Sequence, residues 1–227
     1  MNKLIDEFKE IIDVNKVYSH FNFEIVKEEI ISSKSNIIFL LGDPGSGKSF
    51  LLNYLASKFD EYILFNSAFL SRESIIERLG EIENIKNKKI LVDEAQLLGN
   101  ELLEIFRVIS DNSNQVVFAM HKKEGEEIIN KPQFKSRYSE KVFLKNLAYD
   151  EYERYILSIF LKHNKNFLIN KKMIKKIFKI TKGNFRLIKK FYYTALILLD
   201  YSLRNNLKYK TIDNCIFEMS AIKLGLK

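Results

Sequence analysis

Hydrophobic residues recur along this chain in two rhythms. Five short stretches, 36–41, 62–66, 89–93, 115–120 and 141–144, are mostly apolar and rich in Ile, Val, Leu and Phe. Stretches of that length and composition predict β-strands, buried on both faces where the apolar run is unbroken. Between them, segments such as 50–58 place apolar residues at the three-to-four spacing of a helix. Strands alternating with helices from about 36 to 144 predict an α/β domain whose parallel sheet is covered on both faces. Two helical patterns precede it, at 3–13 and 23–32. After Asn146 the strand rhythm stops. Residues 150–163, 170–181, 184–200 and 211–224 all read as helices, with Asp150, Asn170 and Asn184 as N-caps. The predicted organisation is an N-terminal helical segment (1–35), an α/β domain (36–146) and a small all-helical domain (147–227).

Composition narrows the class. An apolar fraction of 46% with 29% charged residues is that of a globular protein. No apolar run is long enough to span a bilayer, and the polar start of the chain lacks the core of a signal peptide. The single cysteine, Cys215, has no internal partner and is expected to be an inert core residue. These features predict a reducing cytoplasm. The formal charge of +8 admits nucleic acid or an acidic membrane surface as a partner. Much of the excess is lysine scattered along the chain beside abundant Ile, Asn and Phe. Only Lys171, Lys172, Lys175, Lys176, Lys179 and Lys182 cluster, near helical spacing, and a solvated helix face is the favoured reading of that stripe.

The chemistry begins at the end of the first strand. Gly42-Asp43-Pro44-Gly45-Ser46-Gly47-Lys48-Ser49 is a complete G-x-x-x-x-G-K-[ST] pattern, preceded by a strand and followed by a helix opening at Phe50. The glycines let backbone N–H groups curl around phosphate oxygens, and the helix N-terminus favours negative charge. Residues 42–50 are therefore the expected nucleotide-binding set, with Lys48 on the β- and γ-phosphates and Ser49 on Mg²⁺. The strand 89–93 ends in Asp93 and Glu94. In that position Asp93 is expected to complete the metal site, and Glu94 to polarise the water attacking the γ-phosphate. His121, after the fourth strand, is a candidate γ-phosphate sensor or a loop histidine. Asn66, after the second, is a candidate restraint on Glu94 or a turn asparagine. Of only seven arginines, Arg137 precedes the fifth strand and Arg186 sits in the first turn of a helix of the all-helical domain. Each is a rigid fork suited to γ-phosphate oxygens, or to a surface carboxylate.

Together these residues resemble the AAA+ ATPases, with a closer likeness to the ExeA/GspA and TniB type. The likeness rests on Asp93-Glu94-Ala95-Gln96 with Leu97-Leu98, on Arg137 and on Gly183-Asn184-Phe185-Arg186, and it covers residues 25–224. The resemblance implies a five-stranded P-loop sheet followed by a helical lid. It implies Arg137 as an arginine finger acting in trans and Arg186 as a second sensor. By that likeness the protein uses ATP and Mg²⁺ and forms a homo-oligomer when ATP is bound. It assembles, loads or remodels a protein partner, in DNA handling or in a secretion, pilus or DNA-uptake apparatus. The alternative is a nucleotide-gated switch with negligible turnover.

Overall fold

The computed structural model describes residues 1–14, 18 and 20–226. The strands β1 (Ile37–Gly42), β2 (Tyr62–Asn66), β3 (Lys89–Asp93), β4 (Gln115–His121) and β5 (Glu140–Phe143) each fall within one residue of expectation. They form one sheet in the order β2-β3-β4-β1-β5, with every pairing parallel. The helices are α1 (Asn2–Asp6), α2 (Phe21–Ser32), α3 (Lys48–Lys58), α4 (Arg72–Leu79), α5 (Asn100–Asp111), α6 (Lys122–Ile129), α7 (Pro132–Lys135), α8 (Tyr149–Lys162), α9 (Lys171–Thr181), α10 (Phe185–Arg204) and α11 (Asn214–Lys223).

The chain forms two compact units. One is Ile12–Lys145, the other Met1–Ile11 together with Asn146–Lys227. The N-terminal stretch 1–35 is thus divided between them.

In the first unit, side-chain alternation on β1 feeds two cores. Ile37, Phe39 and Leu41 pack with Ile75 of α4, Phe106 of α5 and Phe134 of α7. Ile38 and Leu40 pack on the other face with Phe23, Val26 and Ile30 of α2 and Leu51, Leu52 and Leu55 of α3. Burial on both faces is why the strand reads as an unbroken apolar run.

In the second unit, Phe8 stacks on Tyr192 with ring centroids 5.0 Å apart. That contact explains why the helix expected over 3–13 stops at Asp6. Phe8 is fully buried off the end of one helical turn, while Ile11 and Ile12 stay exposed. Asn170 and Asn184 cap α9 and α10 as expected, accepting from Met173 N (2.9 Å) and Leu187 N (3.1 Å). Asp150 does not cap α8. The cap is Ala148, whose N–H is accepted by Glu151 at 2.9 Å. The last helix starts at Asn214 rather than 211, because the Asp213 carboxylate accepts from Cys215 N and Ile216 N. Cys215 is half-buried rather than a core residue. At the heart of this unit the Tyr152 and Tyr192 hydroxyls meet at 2.8 Å, and Tyr152 also donates to Ile174 O. Burial raises both phenols, so both stay neutral.

The Gly183-Asn184 pair is a packing device. Gly183 has φ +71°, and a Cβ there would stand 2.1 Å from Leu147 O. Its carbonyl accepts Leu147 N at 3.0 Å. Gly183→Ala is expected to destabilise the chain by roughly 3 kcal/mol, from left-handed strain plus overpacking. Urea unfolding measures this; an unchanged midpoint would reject it.

Candidate functional site

Parallel strands joined by long crossovers all end at the same edge of the sheet. The chain leaves β1 for the far edge at β2, returns through β3 and β4, and passes over β1 to reach β5. That reversal opens a crevice at the carboxyl end of β1. Gly42 lies in register with His121 of β4, and Asn66 with Asp93 of β3.

The loop after β1 is built around absent side chains. Gly45 and Gly47 have φ +80° and +105°. A Cβ on Gly42 would stand 2.6 Å from Leu144 O and 2.7 Å from Ser46 Oγ, so only glycine fits under the chain leaving β5. Leu144 is fixed there by its N–H to Leu41 O, 2.8 Å. The α3 helix begins at Lys48 with no side-chain cap, leaving its first-turn N–H groups open to an anion. Lys48 is only 5% exposed, and its ammonium donates to Gly42 O (2.8 Å) and Asp43 O (3.1 Å). The Ser46 hydroxyl is buried with no hydrogen-bond partner among the described residues. A cradle that a Cβ would fill, an orphaned hydroxyl and a buried ammonium together suit a phosphate group.

Asp93 is buried at the tip of β3. Burial pushes its carboxyl above the usual range, and the nearby Glu94 charge adds to this. The Ser49 hydroxyl, the Glu94 N–H and the Lys48 charge work the other way. Asp93 Oδ1 accepts Glu94 N at 3.0 Å, and its carbonyl accepts the Ser67 hydroxyl at 2.7 Å. With Ser49 beside it, this carboxylate and hydroxyl form a hard-oxygen pair suited to Mg²⁺.

Glu94 occupies the left-handed region at φ +52°, a strain of about 1 kcal/mol for a residue with a Cβ. Its carboxylate accepts from the Gln96 amide and has His121 Nε2 at 3.5 Å. Asn66 makes no such contact. Its side chain turns back to accept Ala68 N at 3.0 Å and caps its own 3₁₀ turn. The side chains that lie against the Glu94 carboxylate are those of Gln96 and His121. Gln96 stood in the quoted motif, but its reach to Glu94 depends on the turn between them.

Arg137 is engaged by other partners. Arg137 donates to both oxygens of Asp111 (3.1 and 3.0 Å) and to Gln133 O (2.7 Å). Asp111 also accepts Arg107 at 2.6 Å. The Arg137 hydrogen bond is the main cause holding the Asp111 carboxyl below the usual range. Arg186 is exposed in the first turn of α10, in the other compact unit, and makes no ion pair among the described residues.

No protein-family model and no curated protein matches the chain. Solved structures do. The chain is similar to a Walker-type ATPase of Pyrococcus abyssi, with TM-score 0.66 at 14% identity over 96% of this chain and 77% of that one. It is similar to the Holliday junction branch migration motor RuvB of Thermotoga maritima, with TM-score 0.61 at 16% identity over 96% and 71%. It is also similar to domain III of the replication initiation protein DnaA of Thermotoga maritima, with TM-score 0.56 at 16% identity over 96% and 97%. The fold is that of the P-loop AAA+ ATPases. No described helix is long and apolar enough to cross a membrane.

The raised pKa of Asp93 has a measurable consequence. An acid whose folded pKa exceeds its unfolded value destabilises the fold above that raised pKa. The penalty fades as pH falls toward the unfolded value of about 3.9. Asp93→Asn is therefore expected to melt higher than the parent at neutral pH without nucleotide, with the gap closing toward about pH 4. Thermal unfolding across pH checks it; a gap that widens on acidification would contradict it.

Proposed function

We propose that the chain is a cytoplasmic, Mg²⁺-dependent ATPase of AAA+ type. Its ATP-bound form assembles with further copies of itself or docks on a partner, and hydrolysis releases or remodels that partner. The observation that carries this reading is the buried Lys48 in a glycine-braced loop, with Asp93 and Glu94 at the tip of β3.

Each residue then has a task. Lys48 and the backbone N–H groups of 45–50 hold the β- and γ-phosphates. Ser49 and Asp93 would hold Mg²⁺, whose charge would offset that of the phosphate groups. Glu94 orients and polarises the attacking water. His121, beside Glu94, senses the γ-phosphate. Arg137, released from Asp111, acts on the nucleotide of a neighbouring subunit. Arg186 ties the angle of the helical lid to the nucleotide state.

The Asp93-Glu94-Ala95-Gln96 signature supports placement near the ExeA/GspA and TniB type. The likeness in fold to a branch migration motor and a replication initiation protein favours DNA handling over a secretion, pilus or uptake apparatus. A second reading, a nucleotide-gated switch with negligible turnover, has one observation in its favour. The Glu94 carboxylate is already engaged by Gln96 and His121 rather than free for water.

Hydrolysis measured against protein concentration separates the two. A rate per subunit that rises with concentration supports assembly. A flat, near-zero rate with tight ATP binding supports the switch. Lys48→Ala is expected to abolish ATP binding; retained micromolar affinity would remove the site assignment. Glu94→Gln is expected to keep binding and lose about 10²-fold or more in turnover. Arg137→Ala should bind ATP but stay inactive, and mixing it with Glu94→Gln should restore activity. If no ratio restores any, Arg137 does not act in trans.

A further inference from the structure

The lysine run of α9 survives the folding of the chain as an unbroken surface. Met173, Ile174 and Ile177 point into the core of their unit. At about 100° per residue, Lys171, Lys172, Lys175 and Lys179 fall within an arc of roughly 100° on the opposite side. All four are exposed, as is Lys182 at the C-cap. None of the five has a carboxylate partner among the described residues. Lys176, at the edge of the arc, differs. It pairs with Glu218 at 3.0 Å and lies over the Phe217 ring.

A face meant only for solvation has a cheaper solution. Acids interspersed at i+4 would stabilise the helix, and acids in the first turn would favour its dipole. The exposed helices α5 and α8 mix both signs in this way. From Asn170 to Gly183 there is no acid at all. Lys171 and Lys172 occupy the first turn, where positive charge is unfavourable. Lys171/Lys175 and Lys175/Lys179 are like-charge pairs at i,i+4, each destabilising by a few tenths of a kcal/mol. An external line of negative charge removes that repulsion.

The shape and residue types select the occupant. Eleven residues at about 1.5 Å rise span about 16 Å, the axial rise of about five base pairs of a duplex. The arc carries lysines only. It has no arginine fork for base edges and no aromatic ring on which an unpaired base could stack. The apolar side of α9 is committed to the core, so the helix has no face to sink into lipid. We infer that the lysine face of α9 is a docking surface for the phosphate backbone of double-stranded DNA, contacted without regard to sequence. This deepens the DNA-handling reading above and rests on it.

The test is fluorescence anisotropy of a labelled random-sequence duplex from about 50 to 200 mM salt, on the full chain. Lys172→Glu/Lys175→Glu/Lys179→Glu is compared with Lys58→Glu/Lys86→Glu/Lys123→Glu. The second set makes the same charge change at exposed positions of the sheet unit. The α9 variant is expected to bind at least tenfold more weakly, with the log–log salt slope shallower by roughly 3. The control variant should stay within about threefold of the parent. Equal losses in both variants would mean diffuse attraction by net charge and overturn the inference. So would anionic vesicles that capture the parent through the same lysines while duplex binding is unaffected. DNA-free ATP binding, measured on the same samples, keeps the two levels apart. A parent that binds ATP but no duplex ends both the DNA-handling reading and this inference. A parent that binds both, with the α9 variant unaffected, ends this inference alone.

Discussion

The site exists because parallel strands cannot be joined by tight turns. Every connection must cross a face of the sheet, so all five strands deliver their carboxyl ends to one edge. Gly42, Asp93 and His121 come from positions up to 79 residues apart in the chain, yet the register of β1, β3 and β4 sets them at that edge. The two cores then hold the register. A one-residue slip of β1 would exchange Phe39 and Leu40 between layers that differ in helices and in side-chain size.

Within that frame the site stores several unfavourable arrangements. Asp93 is a buried carboxylate, Glu94 has a strained backbone, and the Ser46 hydroxyl lacks a partner among the described residues. Each is paid for by the packing around it. Left-handed residues and buried unpartnered atoms occur elsewhere too, as at Lys182 and Gln115 Oε1, but here they adjoin a buried carboxylate and a buried ammonium, the combination expected of a pre-organised site.

How legible this was depended on how local each cause is. The loop 42–49 could be read outright, because its glycines, lysine and serine act through neighbouring backbone. The strands could be read because burial on both faces leaves an apolar run. Asn170 and Asn184 were readable caps because a cap is a three-residue interaction. Some misreadings were local, as at the Ala148 and Asp213 caps and the Asn66 turn, and the others needed tertiary information. Nothing near Phe8 announces that Tyr192 will take it from the helix. Asn66 pointed toward Glu94 only if its own turn left the amide free. The fit of Gly42 under Leu144 O depends on a backbone atom 102 residues away, which has no side-chain signature. Gly183 is similar: its tie to Leu147 is a contact between two loops, invisible until both are placed.

The three-way contact on α5 has a mechanical implication. Asp111 sits between two guanidiniums, with Arg107 at 2.6 Å and Arg137 at 3.0 Å. Arg107 comes from the same helix, one turn away, and cannot leave. Arg137 comes from the segment after α7 and grips both carboxylate oxygens. Without Arg137 the carboxylate would still have Arg107 as countercharge. The two-pronged Arg137 contact therefore works as a clasp that holds the segment after α7 against α5.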